Sequence, residues 1–236
     1  MALSAIGWVD GITASGVVLI GCILGSYFIY IGRKREANVL FHTGLVTIFA
    51  GLAFLGVFVD FLIVLGTGSN IDNSTGIVGL LSYIWIAPFI VLAIYIGAEV
   101  IIPEKKWYIT TVFLILMTIF EILIFLDPLG SFNFVPPKGG SGTALIDYNV
   151  KLTSPAGIFM IIFIVSTILF VGVLTLIRAI QSTGDIRKRF LLLAIGMFLY
   201  AIFGFMESLT ELGFLLIPVR IGYISGPIFM YFALKQ

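Results

Sequence analysis

From Trp107 to Leu126 the chain reads WYITTVFLILMTIFEILIFL, an apolar run with one charged residue, Glu121. A membrane-spanning helix needs about 20 predominantly apolar residues, because each adds about 1.5 Å across a hydrocarbon core about 30 Å thick. This stretch meets that length, and polar clusters bound it: Pro103-Glu104-Lys105-Lys106 before it and Asp127-Pro128 after it. A soluble helix of this length would carry charges on a solvent face, and this one has no such face.

Similar runs lie on either side. The reading places seven spans, at Gly11–Ile31, Val39–Leu65, Gly76–Ile102, Trp107–Leu126, Pro155–Ile180, Arg189–Leu209 and Gly213–Leu234. Runs above the minimum length imply tilt or extension past the bilayer. Composition agrees, with 60% hydrophobic and 11% charged residues and a mean hydropathy of +1.19. A soluble domain carries roughly a quarter charged residues. The fold class expected is therefore all-α, a single transmembrane domain over residues 1–236. Prolines fall mostly at span boundaries. Pro88 and Pro227 lie inside spans and are expected to kink or loosen them, while Pro218 marks the first turn of the seventh.

Orientation follows from basic residues. Arg33, Lys34, Arg35, Lys105, Lys106, Arg178, Arg187, Lys188, Arg189 and Lys235 all fall on one side of the predicted bundle, against Lys138 and Lys151 on the other. The positive-inside rule makes the basic side cytoplasmic, so the N-terminus is expected outside and the C-terminus in the cytoplasm. Met1 to Gly16 carries Asp10 but no Lys or Arg, unlike the basic start of a signal peptide. The longest connection, the outer loop 127–154, holds the turn-rich centre Pro136-Pro137-Lys138-Gly139-Gly140-Ser141-Gly142. Its flanks, Phe132-Asn133-Phe134-Val135 and Tyr148-Asn149-Val150-Lys151-Leu152, can pair as a hairpin or cover the bundle mouth.

Ionisable groups within spans are costly and are expected to face the bundle interior or water. Asp60 lies about six residues, about 9 Å, before the outer end of span two, and Glu121 at about the same depth in span four. Glu207 and Glu211 close span six, and Arg220 enters span seven from the outer side. Four carboxylates and one guanidinium thus converge on the outer third. Arg220 keeps its charge and needs a carboxylate, with Asp60 and Glu207 as candidates. The functional reading is a ligand-binding pocket of Asp60, Glu121, Glu207 and Arg220; the structural alternative is an ion pair that fixes helix register. Gly21 and Gly25, four apart, allow close helix contact, a homodimer seam included.

Several classes are excluded. One histidine, His42, and one cysteine, Cys22, provide neither a His-Glu-x-x-His helix nor a Cys pair. There is no Gly-rich phosphate loop, and span seven has no mid-helix lysine for a retinal Schiff base. No catalytic machinery, metal site or cofactor is implied, so the chain is not expected to be an enzyme. A net charge of +1 argues against nucleic acid. The partners expected are membrane lipids, a small ligand or proton, and a second copy or another membrane subunit.

Ile86-Ala87-Pro88-Phe89 leading to Tyr95-Ile96-Gly97, and the turn Gly184-Asp185-Ile186-Arg187-Lys188-Arg189-Phe190 before a helix containing Gly196, carry a resemblance. Over spans two to six the chain resembles the seven-transmembrane-helix sensor region of prokaryotic histidine kinases. The likeness implies a receptor or sensor module. No kinase segment precedes Gln236, so signalling would need a separate partner. Asp60 precedes Gly66 as Glu207 precedes Gly213, and Tyr83 precedes Pro88 much as Tyr223 precedes Pro227. These echoes suit a three-plus-one-plus-three repeat of a small transporter. In arrangement this resembles the sugar-transporting seven-helix family, without that family's Pro-Gln pair. A third reading is a structural or accessory subunit of a membrane complex.

Overall fold

The computed structural model describes residues 3–137, 139–210 and 213–235. The helices are α1 (Ala5–Lys34), α2 (Asn38–Leu52), α3 (Leu55–Thr67), α4 (Ile77–Ile101), α5 (Lys106–Leu126) and the short α6 (Pro128–Ser131). After the strands β1 (Phe132–Val135) and β2 (Asp147–Val150) come α7 (Pro155–Ser166), α8 (Leu174–Gln181), α9 (Gly184–Leu209) and α10 (Leu216–Leu234). A π-helical segment, Thr167–Val173, joins α7 to α8.

Six helical stretches are long and apolar enough to cross a membrane. The pair α2 and α3, bent by 46° at their junction, makes a seventh if counted as one broken span. Outward-facing residues such as Trp107, Tyr108, Ile115, Ile122 and Leu126 on α5 are exposed and apolar. An apolar exterior on this scale is compatible with a multi-pass membrane protein. One end of the bundle gathers basic groups: Arg35 hydrogen-bonds the Lys235 carbonyl, Arg178 donates to the Ile101 carbonyl, and Lys106 pairs with Glu99. The hairpin lies at the other end.

Helix limits follow local chemistry. Ser4 caps α1 by accepting from the Gly7 amide at 3.2 Å, and Ser154 caps α7 from the Gly157 amide at 3.0 Å. The α1–α2 contact is built on glycine. A Cβ on Gly21 would stand 2.8 Å from the Gly51 Cα, and one on Gly44 2.7 Å from the Gly25 carbonyl oxygen. Small residues let two backbones approach in lipid, where burying apolar side chains adds little. The Gly21 and Gly25 face predicted as a homodimer seam is therefore occupied by the chain's own α2.

The helix interrupted is span two, not those holding the internal prolines. α4 and α10 run through Pro88 and Pro227, and α10 begins at Leu216 with Pro218 in its first turn. The break between Leu52 and Leu55 deprives amides of their helical acceptors. One of them, Gly56, donates instead to the Ser82 hydroxyl on α4 at 2.8 Å. Such a substitution satisfies a buried amide that the broken helix leaves without an acceptor of its own.

The outer-loop flanks pair antiparallel, with Phe132 opposite Val150 and Val135 opposite Asp147. Among the described residues this hairpin is the one departure from all-α structure. It is pinned to the bundle: the Ile146 amide donates to Asp60 at 2.9 Å, the Val150 amide to the Tyr83 hydroxyl at 3.1 Å, and Tyr148 and Ser82 share a 2.5 Å hydrogen bond. Burial pushes the Tyr148 phenol above its ordinary pKa, so it stays neutral in that contact.

Candidate functional site

Beneath the hairpin is a cavity of about 230 Å³. Its charged wall centres on Arg220 of α10, which is 3% exposed. The guanidinium Nε and Nη2 donate to Glu207 Oε1 of α9 at 3.0 and 2.6 Å. Nη1 donates to the Asp10 carbonyl and to Thr13 Oγ1, both at 2.7 Å. Nη2 also stands 2.7 Å from Asp10 Oδ1, an ion-pair contact without hydrogen-bond alignment. The guanidinium carbon sits 5.2 Å from the Phe54 ring centre. All three guanidinium nitrogens are thus engaged, and a buried arginine requires no less.

Local packing explains this set. α10 packs along α9 and against α1, which brings Glu207, Asp10 and Thr13 to Arg220. Asp10 and Thr13 lie three apart on α1 and so share a face. Of the expected partners, Glu207 is correct. Asp60 is not, because α3 packs on α4 and α1. Asp60 is fully buried and accepts from Asn70 Nδ2 and the Ile71 and Ile146 amides, each at 2.9 Å. Asn70 in turn accepts from the Gly142 amide at 2.7 Å and donates to the Ala144 carbonyl at 2.9 Å. Asp60 thus holds the outer loop to the bundle and does not line the cavity.

Glu121 also stands apart from it. Half-buried on α5, its two carboxylate oxygens have no hydrogen-bond partner among the described residues. Glu211, the remaining predicted acid, lies outside the described residues. The structure therefore brings two of the four predicted site residues, Glu207 and Arg220, to the cavity and adds Asp10. Asp10 escaped sequence reading because it precedes the apolar core of span one, whereas α1 begins at Ala5 and carries it into the bundle. Its spacing from Thr13 in an otherwise apolar stretch was the available signal.

The rest of the lining is mostly apolar and aromatic, with Asp147, Asn149, Thr167, Ser208 and Thr210 as its other polar members. Tyr83, Tyr200, Tyr223, Phe54 and Phe89 line it from α4, α9, α10 and the α2–α3 junction, and β2 lines the hairpin side. Tyr223 donates to the Ala50 carbonyl at 3.2 Å, at the end of α2 just before the break. Among the described residues, three buried polar atoms of the lining residues lack a hydrogen-bond partner: Asp10 Oδ1, which has only its ion-pair contact, Glu207 Oε2, and the Thr167 hydroxyl at the start of the π segment. Ile86 and Phe89 of α4 also line the cavity. Away from it, His42 Nδ1 lies 2.7 Å from the Asn38 carbonyl, and Thr43 and Thr47 hydrogen-bond their own helix at 2.8 Å, as residues satisfied within their helix do.

Among the described residues no group of three or more His, Cys, Asp or Glu side chains is placed to hold a metal ion. Chemically the site offers a partly open, largely apolar volume, a fixed guanidinium and, among the described residues, a carboxylate oxygen without a hydrogen-bond partner, which together suit binding. The chain matches no protein-family model and no curated protein at a significant level.

Proposed function

We propose that the chain is a seven-span membrane protein with its hairpin end outside and its basic end in the cytoplasm, acting as a receptor- or sensor-like module that binds a small ligand beneath the hairpin. One observation carries the reading: the 230 Å³ cavity gathers Arg220, Glu207 and Asp10 on one wall, has Asp147 and Asn149 on the hairpin side, and is otherwise lined mainly by apolar and aromatic groups. A cavity with a few convergent polar groups is the usual form of a small-molecule site. Its volume exceeds the roughly 150 Å³ of an apolar protein cavity that accommodates benzene, so the ligand is small.

The orientation rests on the basic residues collected at the end opposite the hairpin. The charged groups of the cavity all sit towards the hairpin end, which favours binding over passage, since a carrier needs polar groups reaching both faces. The likeness to the sensor region of histidine kinases supports the same reading, with helix movement read by a separate partner at the basic turns.

Thermal unfolding of detergent-purified protein across a small-molecule and pH panel is the test, with Arg220→Ala as control. A ligand-dependent rise in Tm that the control lacks is expected. No shift with any compound, together with normal folding of Arg220→Ala, rejects the binding reading in favour of an accessory subunit. Substrate accumulation in proteoliposomes rejects the receptor reading in favour of a carrier.

A further inference from the structure

The guanidinium at the cavity wall has little left to offer a ligand. Arg220 Nε, Nη1 and Nη2 are taken by Glu207 Oε1, the Asp10 carbonyl, Thr13 Oγ1 and Asp10 Oδ1. What remains is acceptor capacity. Glu207 Oε2 is buried and has no hydrogen-bond partner among the described residues, and Glu207 lines the cavity. Two carboxylates, Asp10 and Glu207, meet one guanidinium there. Among the described residues Arg220 is the one cation of the lining, and an anion would find it engaged, with the carboxylates of Asp10, Glu207 and Asp147 around the same space. A cation would find Glu207 Oε2 free and charge-assisted hydrogen bonding on offer.

The apolar part of the cavity has a definite place. α9 packs on α10, α8 and the π segment, while α7 packs on α5, α6, β2 and the π segment. Between the hairpin-side halves of α7 and α9 the cavity takes up the space, lined by Met160 and Ile164 on one side, Ala201 and Phe205 on the other, and Ile86 and Phe89 behind. Phe205 is 46% exposed at its outer edge. The hairpin roof is held by Asp60, Tyr83 and Ser82, so the weakly packed side of the cavity is this lateral one.

We infer that the ligand is a small protonated amine with an apolar tail, its ammonium group on Glu207 Oε2 and its tail between α7 and α9. This rests on the binding reading above and narrows it to a chemical class.

Three probes with one tail and different heads separate the possibilities: octylammonium, octanol and octanoate, titrated against the full chain in nanodiscs at neutral pH by calorimetry. Octylammonium is expected to bind about tenfold or more tighter than octanol, with octanoate weakest. Glu207→Gln is expected to remove the preference for the ammonium head. Ala201→Trp, which fills the cleft without touching the Arg220 contacts, is expected to abolish octylammonium binding while the protein still unfolds cooperatively. Octanol or octanoate binding as well as octylammonium overturns the amine class. If Ala201→Trp then blocks that binding, the pocket itself stands. Octylammonium binding that survives Ala201→Trp overturns the tail site. Silence from all three probes overturns the inference, and the pocket reading falls too only if the wider ligand panel is also silent.

Discussion

Arg220 lies among helices where a lone charge costs several kcal/mol, and its neighbours are themselves charged. Truncating it removes the cation from Asp10 and Glu207 and strands both. Arg220→Ala is therefore expected to lose about 3–5 kcal/mol of stability, and a thermal or denaturant melt in detergent that stays at the wild-type midpoint would contradict the assignment. Asp60 works differently, as an acceptor for the Ile71 and Ile146 amides and the Asn70 side chain. Asp60→Ala leaves those donors buried and unmatched, at about 1–3 kcal/mol for each. It should also open segment 136–142 to limited proteolysis; equal cleavage rates in variant and wild type would show that Asp60 does not hold the loop. Sequence reading found Arg220, Glu207 and Asp60 because a charge in an apolar run is conspicuous. It could not choose the partner of Arg220, since that depends on which helices are neighbours. Side-chain depth alone made Asp60 and Glu207 look equivalent.

At the scale of helices, the length of the apolar runs was enough to find the six helical stretches long and apolar enough to cross a membrane and the bent α2–α3 pair. The α2–α3 break was not legible. Its residues, Leu52-Ala53-Phe54, include no proline, and the hydroxyl that serves the Gly56 amide comes from Ser82 on another helix. The glycines of α1 were legible as a contact face but not as to which helix fills it. The structure gives that face to Gly44 and Gly51 of α2. Gly44→Val is accordingly expected to destabilise the protein by about 1–3 kcal/mol, the usual cost of overpacking, without altering its oligomeric state. A variant with an unchanged melt but a shifted mass by light scattering would return the seam to an intermolecular role. The hairpin was readable as an option from its flanks, while its attachment to Asp60, Ser82 and Tyr83 required the folded bundle.

Across the whole molecule the proposed site depends on lipid surrounding the apolar exterior, with basic residues gathered at one end and the hairpin at the other. The cavity has meaning as an outward-facing receptor site only in that arrangement. Two exposed positions report it, Lys151 just after β2 and Arg187 in the first turns of α9. With Cys22 replaced by alanine, single-cysteine variants Lys151→Cys and Arg187→Cys can be treated with a membrane-impermeant maleimide, first on intact cells and then after permeabilisation. Labelling of Lys151→Cys in intact cells, with Arg187→Cys labelled only once the membrane is opened, is the predicted result. Labelling of Arg187→Cys on intact cells would contradict the proposed topology, and with it an outward-facing site.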